Sequence, residues 1–266
     1  MGGLGDLGVI GMHRFLISPD RSRLDQIELD GAEAHHALRV LRIGVGERVA
    51  LLDGSGSELM GEVIAILRRS IQVQVNERRL HERALPRVTL YQSLIKPKPL
   101  EWIVQKGTEL GVTRMVMLST ERSRSQLDEE RGLGKVEKWR AVASEAMKQC
   151  GTPWMPVLGP PRTLVEAIQE RDSVQRLDVM GSLGDGTPRL TEVMDRFLDQ
   201  RGEGIEEVGW WVGPEGDFSP AEGAALEAAG VRPITLGPRV LRAETAAICG
   251  VAVLQHELAR RGLFKL

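Results

Sequence analysis

The change of hydrophobic rhythm at Pro86 is the feature that most constrains the fold of this chain. Before Pro86, short alternating apolar runs such as "ERVALLDG" and "SIQVQVNER" are separated by glycine, a pattern that predicts a small β-barrel. One stretch, "AEAHHALRVLRIG", has helical spacing instead and predicts a short helix at one end of the barrel. We therefore expect two domains, over residues 13–84 and 85–266.

After Pro86, apolar strands alternate with amphipathic helices. Helices are predicted over "PLEWIVQKGTELG" and from about Lys135 to Cys150, which has apolar residues at three- and four-residue spacing. The predicted strands are "VTLYQSLI", "TRMVMLS", "LDVMGSL", "VGWWVG" and "PITLG". This alternation predicts an α/β domain with a parallel sheet covered by helices on both faces. Ligands of such sheets bind beyond the carboxyl ends of the strands, so a site is expected there.

Composition excludes several classes of protein. The 266 residues are 42% hydrophobic and 27% charged, and no apolar run approaches membrane-spanning length, so no membrane partner is expected. The N-terminal residues lack the pattern of a signal peptide, which favours a cytoplasmic location. Cys150 and Cys249 are interpreted as two buried thiols, and neither has the sequence surroundings of an activated nucleophile.

Two glycine–proline loops lie near the carboxyl end, in "GPEGDFSPAE" and "LGPRVLRAET". Ser219, Pro220 and Glu222 have the spacing of a helix start with a capping box, so the preceding loop is tight. Gly213 and Gly216 would let backbone groups approach a ligand closely because neither has a Cβ. A purely structural turn uses the same residue types, and the residues alone favour that interpretation.

Arg242 and Glu244 lie where the second loop enters a long apolar helix. A glutamate in a first turn is explained by capping and the helix dipole, whereas an arginine there is unexpected unless an anion compensates it. "GLGDLG" at residues 3–8 matches a dinucleotide pattern but follows no strand. His35 and His36 lack further metal-ligand residues at suitable spacing, so no metal site is predicted.

Five segments in their order along the chain resemble the RsmE family of ribosomal RNA uridine-N3 methyltransferases. They are "HHALRVLRIGVGERVALLDGSG", "QKGTELGV", "ERS", "VGPEGDFS" and "LGPRVLRAETAA", and the resemblance runs from about His13 to the C-terminus. It implies a PUA-like RNA-binding barrel followed by a SPOUT-type parallel sheet with a C-terminal trefoil knot. It also implies a homodimer, with S-adenosyl-L-methionine as cofactor and small-subunit (16S) ribosomal RNA or the 30S subunit as substrate.

The resemblance also implies roles for particular residues. Arg242 would stabilise negative charge developing beside uridine N3 or grip a phosphate, and Glu244 would orient the base or accept its proton. The cofactor would be bound by Leu183, Gly213, Pro214, Glu215, Gly216, Leu236, Gly237 and Leu241. The first candidates for RNA contacts are Arg14, Arg39 and Arg42.

Some positions depart from the pattern of that family. Lys148 stands where glutamate is usual, Thr152 where arginine is usual and Asp217 where glycine is usual. Residues 1–12 look like an extra, disordered segment from a misassigned start. Two alternatives stay open. One is a SPOUT methyltransferase for another RNA site or for ribose oxygen, because the knot loops of that family recognise the cofactor and not the target. The other is a non-catalytic RNA-binding assembly factor, which the departures near Lys148 favour.

Overall fold

The computed structural model describes residues 12–123, 129–171, 175–201 and 204–264. The extra segment expected over residues 1–12 lies, apart from Met12, outside these ranges. The chain forms two compact units: the first extends to Glu82 and includes Met147–Met155, and the second contains Arg83–Ala146 and Pro156–Leu266. Within the described ranges, every helix is too short or too polar to cross a bilayer.

The first unit contains a curled five-stranded sheet in the order β1-β3-β4-β5-β2. Its strands are β1 (His13–Leu16), β2 (Gln26–Leu29), β3 (Arg48–Leu52), β4 (Ser57–Ile66) and β5 (Ile71–Leu80). Apolar residues that alternate along these strands, including Phe15, Leu51 and Val73, are fully buried in one cluster. The sequence pattern therefore correctly predicted the strands, because alternation with period two places one face of each strand in the core.

The short helix predicted in the first unit differs in form from the expectation. Helix α1 (Gly31–His35) continues as a wider π-helical turn over His36–Leu41. The turn ends at Arg42, whose φ of 56° is left-handed, and the amide of Ile43 donates to the carbonyl of Ala37. The helix thus ends before Gly44, the last residue of the stretch for which a helix is predicted.

The second unit contains a parallel sheet in the order β12-β10-β11-β6-β7-β8, with β9 also paired to β7. Its strands are β6 (Arg87–Ser93), β7 (Arg114–Ser119), β8 (Val157–Leu158), β9 (Arg162–Thr163), β10 (Arg176–Gly181), β11 (Glu207–Val212) and β12 (Arg232–Ile234). Its helices are α2 (Pro97–Glu109), α3 (Glu129–Cys150), α4 (Leu164–Gln169), α5 (Leu190–Arg201), α6 (Pro220–Ala228) and α7 (Ala243–Arg260). The last four residues of α3, from Met147 to Cys150, belong to the first unit.

Helices cover both faces of this sheet, as predicted. Trp210 and Trp211 are neighbours on the central strand β11 and point to opposite faces, because side chains alternate along a strand. The indole of Trp210 donates to the carbonyl of Ala246 in α7 at 3.2 Å. On the opposite face, Trp211 packs in an apolar cluster with Leu164 of α4 and Leu226 of α6.

A buried charged cluster holds Trp211 in place. Arg176 pairs with the carboxylates of Asp178 and Glu207 at 2.7 Å each and donates to the hydroxyl of Tyr91 at 2.7 Å. The indole of Trp211 donates to Asp178 at 3.0 Å and stacks on the ring of Tyr91 with a centroid distance of 3.7 Å. Burial raises the pKa of Tyr91 to about 12. These contacts fix the end of β11, from which the first glycine loop departs.

Candidate active site

The loops that follow β10, β11 and β12 line one cavity of about 130 Å³ at the carboxyl edge of the parallel sheet. These three strands are neighbours in the sheet, so their carboxyl ends lie side by side. Seven of the eight residues predicted to bind a cofactor line the cavity: Leu183, Gly213, Pro214, Glu215, Leu236, Gly237 and Leu241. The structure thus brings both glycine–proline loops to one place.

The first loop, residues 213–219, is a tight turn. The amide of Asp217 donates to the carbonyl of Pro214 at 2.9 Å, and Asp217 has a φ of 59°. Its carboxylate accepts from the amide of Phe218 at 2.8 Å. Aspartate is one of the few side chains that tolerates this left-handed conformation, so the departure from glycine at position 217 preserves the turn.

Position 213 requires a glycine because the chain approaches itself closely there. A Cβ at this residue would lie 2.8 Å from both a carboxylate oxygen of Asp217 and the amide nitrogen of Phe218. The loop ends at α6, where Ser219 and Glu222 form the predicted capping box. The absence of a side chain at Gly213 leaves main-chain groups at the wall of the cavity.

The second loop, residues 235–242, is open to solvent. Gly237 has a φ of 118°, a conformation that side chains rarely adopt, and its amide donates to the hydroxyl of Thr235 at 3.1 Å. Arg239 and Val240 line the cavity and are exposed, with Val240 82% exposed. An exposed valine beside an arginine gives the rim of the cavity both an apolar and a cationic group.

Gly216 is the predicted cofactor residue that does not line the cavity. Its carbonyl accepts a hydrogen bond from the guanidinium of Arg122, at 2.6 Å. The segment "ERS" contributes to the family resemblance, but the resemblance predicts no role for Arg122 itself. Its position three residues after the end of β7 could have indicated a role, because it places Arg122 at the carboxyl edge of the sheet, where the glycine loops also lie.

Arg242 and Glu244 lie at the start of α7. Arg242 is the N-cap residue, and its carbonyl accepts from the amide of Ala246 at 2.8 Å. Its side chain is exposed and forms no hydrogen bond or ion pair with the described part of the chain. Neither Arg242 nor Glu244 lines the cavity itself, but Leu241 and Ala243 on either side of Arg242 do. The structure thus places an uncompensated cation at the positive end of a helix, beside the cavity.

The three arginines predicted to contact RNA all lie in the first unit. Arg39 and Arg42 are exposed. Arg14 is half-buried and donates to the carbonyls of Lys148 and Gln149 at 3.3 and 3.4 Å, at the end of α3. Arg14 therefore caps the negative end of a helix, a favourable place for a cation.

The two departures near the end of α3 also lie in the first unit. The ammonium of Lys148 pairs with the carboxylate of Glu33 at 2.9 Å, and the Lys148 side chain is only 9% exposed. The hydroxyl of Thr152 accepts from the amide of Trp154 at 3.4 Å. Lys148 thus serves an internal contact of this unit.

The expectation that both cysteines are buried is wrong. Cys150 is exposed and Cys249 is half-buried. Cys150 is the last residue of α3, and the apolar spacing of that helix did not show that the side chain at its end faces solvent. The described residues contain no group of three or more acidic, histidine or cysteine side chains that would hold a metal ion.

Two family models match separate parts of the sequence. Residues 81–255 match the RNA methyltransferase domain family, and residues 29–76 match the RNA methyltransferase PUA domain. Ribosomal RNA small subunit methyltransferase E of Aquifex aeolicus is 32% identical over 247 residues, which cover 92% of this chain and 100% of that protein. The enzyme of the same name from Bacillus subtilis is 27% identical and covers 92% of this chain and 97% of its own length.

Solved structures show the same fold. The ribosomal RNA small subunit methyltransferase E from Neisseria gonorrhoeae, bound to S-adenosyl methionine, has a TM-score of 0.80 at 25% identity. A putative methyltransferase from Legionella pneumophila, in complex with the bound cofactor, has a TM-score of 0.80 at 27% identity. Each covers 92% of this chain and 98% of its own. By its family matches and its relatives, the chain belongs to the ribosomal RNA small subunit methyltransferase E family.

Proposed function

We propose that this protein transfers a methyl group from S-adenosyl-L-methionine to N3 of a uridine in small-subunit ribosomal RNA. The observation that carries the proposal is that both glycine–proline loops line the same cavity. The names of the relatives support a ribosomal RNA substrate, and the neighbours crystallised with the methyl donor support the cofactor. Uridine N3 as the target atom rests on the resemblance of the motifs.

The lining of the cavity suits a neutral adenine. Gly213 and Gly237 present main-chain groups, which can form hydrogen bonds with an uncharged base. Apolar surface is supplied by Leu183, Leu236 and Leu241. In this proposal Gly216 contributes through the shape of its loop, because its carbonyl already accepts from Arg122.

Bound S-adenosyl-L-methionine supplies a methyl group on a sulfonium, which is already a good leaving group. The remaining work of the protein is to hold uridine N3 in line with that methyl group and to favour loss of its proton. Loss of the proton places negative charge on the flanking carbonyl oxygens of the base. Arg242, exposed beside the cavity, would stabilise that charge or grip the phosphate, and Glu244 would orient the base or accept the proton.

Residues 13–84 would bind RNA, and residues 85–266 would carry out the transfer. Arg39 and Arg42 remain the first candidates for RNA contacts because both are exposed, whereas Arg14 is engaged with the end of α3. If Arg39 and Arg42 hold phosphates, neutralising both should weaken RNA binding and flatten its salt dependence. An unchanged salt slope would remove them from the interface.

The proposal includes a homodimer and a knotted C-terminal segment. The outward face of α7 supports the dimer: it carries Thr245, Cys249, Ala252 and Val253, without a charged side chain between Glu244 and His256. Uncharged surface of this kind is typical of an interface. The path of the chain supports the knot, because β12 lies beyond β10 and α7 then returns to pack against β11.

The experiment that tests the function is nucleoside mass spectrometry. Purified protein is incubated with S-adenosyl-L-methionine and unmodified 30S subunits, and the digested RNA is searched for 3-methyluridine. We expect that nucleoside to appear. A different methylated nucleoside would indicate another RNA site, and cofactor binding without any methylation would indicate a non-catalytic assembly factor.

The role of Arg242 is tested separately. Arg242→Ala should abolish turnover and leave the affinity for S-adenosyl-L-methionine nearly intact, because the side chain does not line the cavity. Arg232→Ala, which removes another exposed arginine at the start of β12, is the matched control and should keep full activity. Calorimetry that shows cofactor affinity lost together with turnover would contradict this assignment.

A further inference from the structure

The turn that follows β7, residues 120–123, is closed by its own side chains. The amide of Thr120 donates to the hydroxyl of Ser123 at 3.1 Å, and the two hydroxyls lie 2.7 Å apart. The amide of Ser123 donates back to the carbonyl of Thr120 at 3.0 Å. Thr120 is buried at 8% exposure, so the turn is anchored to the sheet and presents Glu121 and Arg122 at its tip.

This turn contacts the first glycine loop at two points. The guanidinium of Arg122 donates to the carbonyl of Gly216 at 2.6 Å and to that of Phe218 at 3.5 Å. The amide of Glu121 donates to one carboxylate oxygen of Glu222 at 2.8 Å. The other oxygen of Glu222 accepts from the amide of Ser219 in the capping box. The turn is therefore tied both to the loop and to the helix that the loop enters.

The contacts are made to residues that do not line the cavity, namely Gly216, Phe218 and Glu222. Strand β6 lies between β7 and β11, so the turn crosses the end of β6 to meet the loop. Pro214, Glu215 and Asp217 line the cavity, whereas Gly216 does not. The two carbonyls that Arg122 contacts flank Asp217, the residue with the left-handed φ. A single guanidinium thus contacts the carbonyls on both sides of the left-handed residue of the loop.

We propose that Arg122 is a positioning residue that holds the first glycine loop in the shape that binds the methyl donor. The inference rests on the proposed function. Gly216 and Asp217 are both exposed, so burial does not hold the tip of the loop in place. Without the guanidinium, the loop samples other conformations, and ligand binding must then order it. Loss of Arg122 therefore weakens cofactor binding without removing any group that contacts the cofactor.

The test compares Arg122→Ala with Arg122→Lys and with Arg140→Ala as the matched control. Arg140 is also an arginine that donates to a backbone carbonyl, that of Leu158, and it does not line the cavity. Calorimetry should show that Arg122→Ala binds S-adenosyl-L-methionine about tenfold more weakly, as expected for one charged hydrogen bond. Arg122→Lys should recover part of that loss, and Arg140→Ala should bind as the unaltered protein does.

Steady-state kinetics and melting temperature separate positioning from other roles. The KM for the methyl donor should rise in Arg122→Ala while kcat at saturating donor is kept. The melting temperature of the free protein should fall by no more than a few degrees, because a tenfold loss of loop ordering costs the folded state at most about 1.4 kcal/mol. If Arg122→Ala binds the methyl donor as tightly as the unaltered protein does, the positioning role of Arg122 is wrong and the proposed function still stands. The same holds if kcat falls while the affinity for the methyl donor is kept. Absence of donor binding by the unaltered protein would overturn the proposed function and this inference with it.

Discussion

Gly250→Ala should destabilise the second unit and weaken cofactor binding. Gly250 lies in α7 where the helix crosses the fully buried indole of Trp210, and a Cβ at this position would overlap the ring. The same indole donates to the carbonyl of Ala246 at 3.2 Å, and both residues line the cavity. Alanine at position 250 must therefore move either the helix or the wall of the site.

The magnitude follows from three contributions. Overpacking of a close contact costs about 1–3 kcal/mol. Loss of the hydrogen bond from the Trp210 indole to Ala246 costs about 0.5–1.5 kcal/mol. Replacing glycine by alanine inside a helix contributes about 1 kcal/mol in the opposite direction. The free energy of unfolding should therefore fall by about 0.5–3.5 kcal/mol.

Urea unfolding monitored by tryptophan fluorescence measures this change, with Gly223→Ala as the control. Gly223 lies in α6, and a Cβ there would meet nothing within 4 Å. Gly223→Ala should gain up to about 1 kcal/mol from helix propensity alone. If Gly250→Ala unfolds at the same urea concentration as the unaltered protein or at a higher one, the structural reasoning is refuted.

Three further predictions concern other contacts. Burial raises the pKa of Tyr91 to about 12, so this tyrosine, the only one in the sequence, should show no phenolate absorbance near pH 10 while the chain is folded. The stability that the neutral phenol contributes is complete below about pH 10 and is lost as the pH rises towards 12. Phenolate absorbance near pH 10 in the folded chain would contradict this. Gly213→Ala should abolish cofactor binding in calorimetry, because its Cβ would press on Asp217; unchanged affinity would show that the turn adapts. Lys148→Met should lower the free energy of unfolding by about 1–3 kcal/mol in urea, because the partly exposed Glu33 loses its ammonium partner and keeps the contact with the amide of Leu16. An unchanged midpoint would mean that this ion pair adds no stability.

Local patterns predicted the elements that depend on neighbouring residues. The start of α6 at Pro220 is fixed by its own capping box. Strand β11 is a continuous apolar run because it is buried on both faces, and its position could be predicted for that reason. That the two glycine loops meet also follows from their places at strand ends in a parallel sheet.

Contacts between distant segments could not be predicted. Lys148 and Glu33 are far apart in sequence, and no periodicity indicates that Met147–Met155 belongs to the first unit. Arg122 lies 94 residues before Gly216, so its contact depends on the order of the strands in the sheet. The role of an exposed arginine becomes visible only when the fold places a carbonyl in front of it.

The most direct test of the central claim is a crystal structure of the protein with S-adenosyl-L-methionine. The account predicts the donor in the cavity between residues 213–217 and 236–241, with its adenine hydrogen-bonded to main-chain groups of these loops. A donor bound elsewhere, or held in that cavity by side chains alone, would contradict it.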